Sequence, residues 1–183
     1  MRNWQRGLAL GLALFGVLGF ASAQEKGVVI EIDDLKNTTP ATWKEEKASK
    51  MRYMQFRLAK VGDDKDDAEI VIFKGLGGSA EQNIERWKGQ FLPPQGKTLA
   101  EASKVDKVKL GKNEGMYLDV SGTYLFKVAP FDPNGKTDKK ENYRMLAIQF
   151  EGPKDIYHIK LTGPAKTVES YKKGFDEWFN GLK

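Results

Sequence analysis

The sequence has 183 residues, and its 30 lysines and arginines against 25 acidic residues give a formal charge of +5. It has no cysteine and one histidine, His158. This composition excludes disulfides, thiolate nucleophiles, cysteine-ligated zinc and any metal site that needs two histidines of one chain.

The first 23 residues have the pattern of a secretory signal peptide. Arg2 and Arg6 precede an uncharged apolar run at residues 8–20, and a small-x-small cleavage pattern follows. We therefore expect cleavage between Ala23 and Gln24 and export to the periplasm or beyond, with an uncleaved anchor as the alternative. Cleavage removes two arginines, so the charge falls to +3, too little to indicate a nucleic-acid partner. No second run long enough to span a membrane follows.

Residues 24–183 are predicted to form one domain, beginning with three strands. The run at 28–32 is a short strand, followed by a polar connection around residues 37–40. Residues 51–59 alternate between apolar and polar side chains, as a strand with one buried face does. The strand at 70–73 is apolar on both faces, which predicts a central position in the sheet.

A glycine turn at 75–78 leads into a predicted helix. Ser79 and Gln82 have the spacing of a capping box, in which each side chain bonds the backbone of the other residue. The helix is expected to continue to Pro93-Pro94. Its apolar stripe comprises Ala80, Ile84, Trp87 and Phe91.

The second half of the domain is predicted to be mostly strand, with a closing helix. Gly122 predicts a tight hairpin, residues 132–136 a turn, and Gly163-Pro164 the end of the last strand. The strands are predicted at 105–110, 116–120, 124–128, 144–150 and 156–161. The closing helix has an aromatic stripe that consists of Val168, Tyr171, Phe175, Trp178, Phe179 and Leu182.

The short connections between these strands predict a mainly antiparallel sheet, because parallel neighbours need long crossovers. Two helices are available to cover its faces. The predicted fold class is therefore α+β, a central antiparallel sheet flanked by helices, and we expect a monomer.

The candidate binding site lies on the first helix, opposite its apolar stripe. Asn83, Arg86 and Gln90 follow one another at i, i+3 and i+7. Together with Gly77 and Gly78 of the preceding turn they predict a polar ridge, on which Arg86 could hold an anion. The alternative is an ordinary solvated helix face.

Two other patterns resemble cofactor or metal sites and are interpreted as turns. Residues 75–80 fit the dinucleotide fingerprint, but no parallel strand with a ribose-binding acid follows the helix. Four aspartates at 63–67 lack the spacing and central glycine of a helix-loop-helix calcium loop. We expect neither a metal nor a cofactor.

Two alternative functions depend on other residues. His158, in the last strand, or a pair of carboxylates could serve a hydrolase, although no nucleophile motif accompanies the histidine. A strand rich in lysine could bind an anionic glycan or lipid surface. Such lysines also protect edge strands from association. They are Lys104, Lys107, Lys109 and Lys112.

Several segments resemble a family of exported, largely uncharacterised bacterial proteins. The resemblance covers about residues 40 to 183 and is carried by residues 40–43, 51–52, 83–91 and 157–164. The element order is also similar to the Mog1/PsbP-like fold, an antiparallel sheet between helices.

Known members of that fold group are accessory or binding proteins, one assisting photosystem II and one binding a small GTPase. No motif here matches their binding residues, so neither partner is implied. The sequence favours an exported, non-enzymatic accessory protein of the cell envelope, whose partner is a protein or a small anionic ligand.

Overall fold

The computed structural model describes residues 26–49, 51–128, 132 and 134–183. The predicted signal peptide and its cleavage site lie outside this part of the chain. No helix within the described residues is long and apolar enough to cross a membrane.

Ten strands and two helices make up the described chain. The strands are β1 Val29–Ile32, β2 Leu35–Thr38, β3 Lys44–Glu46, β4 Met54–Leu58, β5 Ala68–Lys74, β6 Phe91–Leu92, β7 Ser103–Leu110, β8 Asn113–Lys127, β9 Thr137–Glu151 and β10 Ile156–Pro164. The helices are α1 Ala80–Lys88 and α2 Ala165–Asn180.

Eight strands form one sheet in the order β3-β4-β5-β10-β9-β8-β6, with β7 also paired to β8. β1 and β2 form a separate hairpin. Every pairing in the described chain is antiparallel. The predicted α+β class is therefore confirmed, and β10, the last strand in sequence, lies in the middle of the sheet with β5 beside it, as predicted for the strand at 70–73.

The larger core lies between the sheet and α2, on what we call the α2 face. Alternate residues of β10 point into it, among them Tyr157, Ile159 and Leu161. The predicted stripe of α2 covers them: Val168, Phe175, Trp178 and Phe179 are buried in the helix and Leu182 just after it. The β1–β2 hairpin contributes Ile30 and Ile32 to this core.

A smaller core lies on the opposite side, which we call the α1 face. Ile84 and Trp87 of α1 pack there with Phe91 of β6, against apolar residues of β8 and β9 such as Leu118 and Met145. α1 has only 9 residues, whereas α2 has 16. The two faces of the sheet are therefore covered unequally.

The acidic turn between β4 and β5 holds the start of α2. Pro164, at the N-cap position of α2, makes no side-chain cap, and the first turn of the helix has no acidic residue. The Asp64 carboxylate replaces the missing cap by accepting from the Thr167 backbone N–H at 2.9 Å and from its hydroxyl at 2.6 Å. Asp63 pairs with Lys166 at 2.7 Å. The aspartates thus act as helix-capping and surface ion-pair residues, which explains their clustering without a metal.

Three predicted connections are wrong. β2 at Leu35–Thr38 overlaps the polar connection expected at residues 37–40, because Leu35 packs into the α2 core and Asn37 Nδ2 donates to the Trp178 carbonyl oxygen at 2.6 Å. Gly122 makes no hairpin but a bulge within the long strand β8. A Cβ at Gly122 would lie 2.2 Å from the Leu92 carbonyl oxygen, so glycine is needed for β6 to approach.

Gly163-Pro164 does not break the last strand. β10 runs through both residues, and α2 begins immediately afterwards. A Cβ at Gly163 would lie 2.5 Å from the Cβ of Ala68, so the glycine allows close packing at this point. The first helix is also shorter than predicted: it ends at Lys88, before Gly89, and not at the two prolines.

The cap that Asp64 provides can be tested by stability. Asp64→Ala is expected to lower the free energy of unfolding by about 1 kcal/mol, since it removes the acceptor for a buried helix N-terminus. Asp63→Ala is the control, because its exposed ion pair contributes little. Urea denaturation measures the free energy of unfolding of both variants. Equal decreases in the two variants would contradict the capping role of Asp64.

Candidate functional site: cations on the central strand

Strand alternation sends two polar residues of β10 to the α1 face. Because Tyr157, Ile159 and Leu161 point into the α2 core, His158 and Lys160 point the other way. Lys160 is paired in register with Val71 of β5 and Ala147 of β9. A lysine in the central strand of a sheet, with buried apolar residues on both sides, is unusual for a residue that normally stays in water.

Below α1, His158 is fully covered, whereas Lys160 is covered only in part. The helix packs chiefly on β8 and β9, and its Trp87 alone is recorded in ring contact with β10. The Trp87 and His158 rings meet edge to face with centroids 5.2 Å apart. The Lys160 Nζ lies 5.9 Å from the Trp87 ring centroid. Trp87 therefore separates a sealed part of this face, at His158, from a more open part at Lys160.

The charge on Lys160 is not neutralised by any described residue. Its Nζ forms no ion pair within that part of the chain, and the nearby acid, Glu69, is bonded to Arg52 at 2.9 Å. Loss of hydration lowers the pKa of Lys160 to about 8; Glu69 opposes this change, and the charges of Arg86 and Arg52 reinforce it. Arg86, Arg52 and Glu69 thus act electrostatically on Lys160, and we call these four residues the Lys160 site.

Arg86 is the predicted site residue that the structure places at the Lys160 site. It is exposed on α1, and no hydrogen bond or ion pair joins it to another described residue. Its charge acts on both Lys160 and His158. An arginine held beside a second cation, without a carboxylate of its own, is suited to an external anion.

The other predicted site residues do not form an exposed ridge with Arg86. Asn83 is only 2% exposed and donates from its Nδ2 to the carbonyl oxygens of Gly77, Gly78 and Ser79, so it holds the glycine turn in place. Gln90 lies beyond the end of α1, and its Oε1 is buried with no partner in the described part of the chain. Asn83 therefore turns inward, and Arg86 is the exposed member of the three.

The glycine turn itself is exposed, and its carbonyl oxygens are held by side-chain amides. The Gly77 and Gly78 carbonyls accept from Asn83 Nδ2, and the Gly78 carbonyl also accepts from Gln149 Nε2 of β9 at 3.2 Å. This geometry supports the interpretation of residues 75–80 as a structural turn, and Ser79 with Gln82 forms the predicted capping box.

His158 is sealed beneath α1. It is 1% exposed, and its Nε2 is buried with no hydrogen-bond partner among the described residues. Burial, with Arg86 and Lys160 nearby, lowers the pKa of His158 to about 4. A general base needs contact with a substrate proton and a pKa near the working pH. The position of His158 against Trp87 therefore argues against the hydrolase hypothesis that depends on it.

The lysine-rich strand is β7, at the edge of the sheet. Lys104 pairs with Asp106 at 2.6 Å, and Lys109 lies 4.0 Å from Glu114. These charges face solvent along an unpaired edge, where lysines discourage association between sheets. The edge position favours the protective interpretation of Lys104, Lys107, Lys109 and Lys112.

Arg86 was among the residues predicted from the sequence for a binding site, whereas Lys160 was not. The available signal was a lysine within a strand whose neighbours Ile159 and Leu161 are apolar. That signal becomes informative only when β10 is known to be central, since a lysine on an edge strand is commonplace.

No protein-family model and no curated protein matches this sequence. Among solved structures it is similar to a protein of unknown function from Pseudomonas aeruginosa, at 12% identity and a TM-score of 0.48, covering 86% of this chain and 96% of that one. LpqN, involved in cell envelope biogenesis of Mycobacterium tuberculosis, matches at 13% and 0.47, covering 86% and 84% of the two chains.

A cyanobacterial PsbP, CyanoP from Synechocystis, is also among the matches, at 13% identity and a TM-score of 0.44, with 94% and 98% covered. The PsbP resemblance drawn from the sequence thus recurs among the structural neighbours. Similarity at this level concerns the path of the chain, so the role of the Lys160 site follows from its own residues.

Because His158 is the only histidine, its titration can be followed without assignment. We expect the imidazole nitrogens, observed by NMR, to remain neutral down to a pH near 4, against an ordinary pKa of 6.5. The unfolded chain takes up this proton at 6.5, so the free energy of unfolding should decrease as the pH falls from 6.5 towards 4. His158→Gln should remove that component. An imidazole pKa of 6 or above would contradict the sealed position.

Proposed function

We propose that the protein is exported and acts as a non-enzymatic accessory protein, which binds a partner in the cell envelope through the Lys160 site. The observation that carries this proposal is the imbalance of charge on the open part of the α1 face. Lys160, Arg86 and Arg52 lie there, and the acid that acts on Lys160, Glu69, is already engaged by Arg52.

The energetic cost of this arrangement supports binding as its purpose. Removing a lysine from water without an acceptor costs free energy, and the same loss of hydration lowers the pKa of Lys160. A neutral apolar residue at position 160 would avoid this cost. Residues that lower stability in this way are typical of functional sites.

The surroundings of the cations favour binding over catalysis. His158 is sealed beneath Trp87, and the tyrosines near this face are fixed by packing, with the Tyr124 and Tyr143 rings stacked at 6.0 Å. The described residues also offer no group of three or more acids and histidines that could hold a metal ion. What the site presents to a partner is positive charge beside aromatic rings.

The proposal is tested by recovery of a partner from envelope extract. Arg86→Glu is expected to reduce recovery at least about fivefold, because it replaces the exposed cation of the site with an acid. Lys173→Glu makes the same charge change on α2, on the opposite side of the sheet, and should leave recovery unchanged. Gln90→Ala should have a smaller effect than Arg86→Glu, since the Gln90 amide oxygen is buried.

Equal recovery with the wild-type protein and Arg86→Glu would overturn the proposed function. Equal loss with Arg86→Glu and Lys173→Glu would do the same, because it would show a dependence on net charge and not on this site. Thermal unfolding of each variant confirms that the change acts on the surface and not on folding.

A further inference from the structure

Beside the Lys160 site, two buried polar atoms have no hydrogen-bond partner among the described residues. They are His158 Nε2 and Gln149 Oε1, and both residues are nearly inaccessible, with 1% and 4% exposed. They belong to adjacent strands and are paired in register, so they lie side by side on the α1 face. Buried polar groups are usually hydrogen-bonded, and no described residue bonds either atom, so both are available to a group from outside this part of the chain.

The chemistry of the two atoms is complementary to a hydrogen-bond donor. Gln149 Oε1 can only accept, because its amide nitrogen already donates to the Gly78 carbonyl. His158 is neutral at physiological pH, so its Nε2 either accepts or donates according to its tautomer. A ligand that satisfies both atoms therefore carries at least one N–H or O–H.

Lys160 and Arg86 are complementary to an anionic group and not to a hydrogen-bond donor. Both are cations without an ion pair among the described residues, and both act electrostatically on this part of the face. Glu69 stays close by, bonded to Arg52, and its charge disfavours a dianion more than a monoanion. A singly charged oxygen acid matches this balance better than a phosphate dianion.

One indole ring borders both sets of groups. Trp87 contacts the His158 ring at 5.2 Å and lies 5.9 Å from the Lys160 Nζ. Lys160 is two residues from His158 on the same strand, so their side chains are about 7 Å apart along it. A carboxylate bound to Lys160, with a donor two or three bonds away, would span a distance of this order.

We propose that the Lys160 site binds a carboxylate that carries a hydroxyl or amino group close to it, with Lys160 and Arg86 holding the carboxylate and Gln149 accepting from the donor. This inference rests on the proposed function and names the chemistry of the group that the partner presents. A hydroxy acid, an amino acid or a sugar acid has this arrangement.

Binding is tested with glycolate, which has both groups, against acetate, ethylene glycol and inorganic phosphate, which each lack part of the pattern. NMR shifts of the His158 imidazole and the Trp87 indole N–H report occupancy, at matched ionic strength, since screening alone weakens such contacts. We expect saturable shifts with glycolate, at least about fivefold tighter than with acetate or phosphate, and none with ethylene glycol.

Lys160→Met removes the charge and keeps the length of the side chain. It is expected to weaken glycolate binding at least about tenfold and to raise the melting temperature, because the uncompensated charge is gone. Lys104→Met on β7 is the matched control and should change neither. Arg86→Gln, at an exposed position, provides a second variant that keeps the test valid if Lys160→Met fails to fold.

Glycolate binding that Lys160→Met and Arg86→Gln leave unchanged would overturn the inference, as would shifts that do not saturate. Equal affinity for acetate and glycolate would overturn the role of Gln149 as acceptor. If no anion binds while Arg86→Glu still abolishes partner recovery, the ligand chemistry fails and the proposed function stands. If glycolate binds while partner recovery is insensitive to Arg86, the proposed function fails and the site stands.

Discussion

The middle strand of the sheet, β10, has one apolar face and one polar face, and the two helices that cover the sheet differ accordingly. Towards α2 it presents Tyr157, Ile159 and Leu161, which are almost completely buried. Towards α1 it presents His158 and Lys160, two residues that prefer water. A central strand normally needs cover on both sides, so one side of β10 is stable as part of a core and the other is not.

The two helices differ in length, and each matches the face of β10 that it covers. α2 is long, carries a continuous aromatic stripe and is fixed at its start by Asp64, so the apolar face of β10 is fully covered. α1 is short and packs over β8 and β9, which leaves Lys160 near solvent while Trp87 closes over His158. No described carboxylate pairs with the Lys160 ammonium, so further cover by α1 would add to the cost of its lost hydration.

The elements that were predicted correctly are those that depend on residues close to one another in sequence. The capping box at Ser79, the alternation in β4 and the stripe of α2 follow from residues close in sequence, and the structure confirms each of them. The bond from Asp64 to Thr167 joins residues 103 positions apart, and no local pattern reveals it. Gly122 and Gly163 suggested turns, but each serves a close approach between strands that only the assembled sheet creates.

The residues of the candidate site also differ in how far they could be predicted from local sequence. Arg86 could be predicted, since a cation on the polar side of an amphipathic helix is visible in the sequence. Asn83 was placed on the wrong side because its bonds to the glycine turn outweigh helix periodicity. Lys160 required the strand order, which depends on pairings between distant segments.

The charge state of Lys160 is the most direct test of this account. A pH titration followed by the 13Cε chemical shift of Lys160, assigned with the Lys160→Met variant, measures its pKa in the folded protein. The account predicts a pKa of about 8, lowered from the ordinary 10.5 by loss of hydration and by the neighbouring arginines. A value near 10.5 would show that the ammonium is hydrated or paired with an acid, and it would contradict an uncompensated cation at the centre of the sheet.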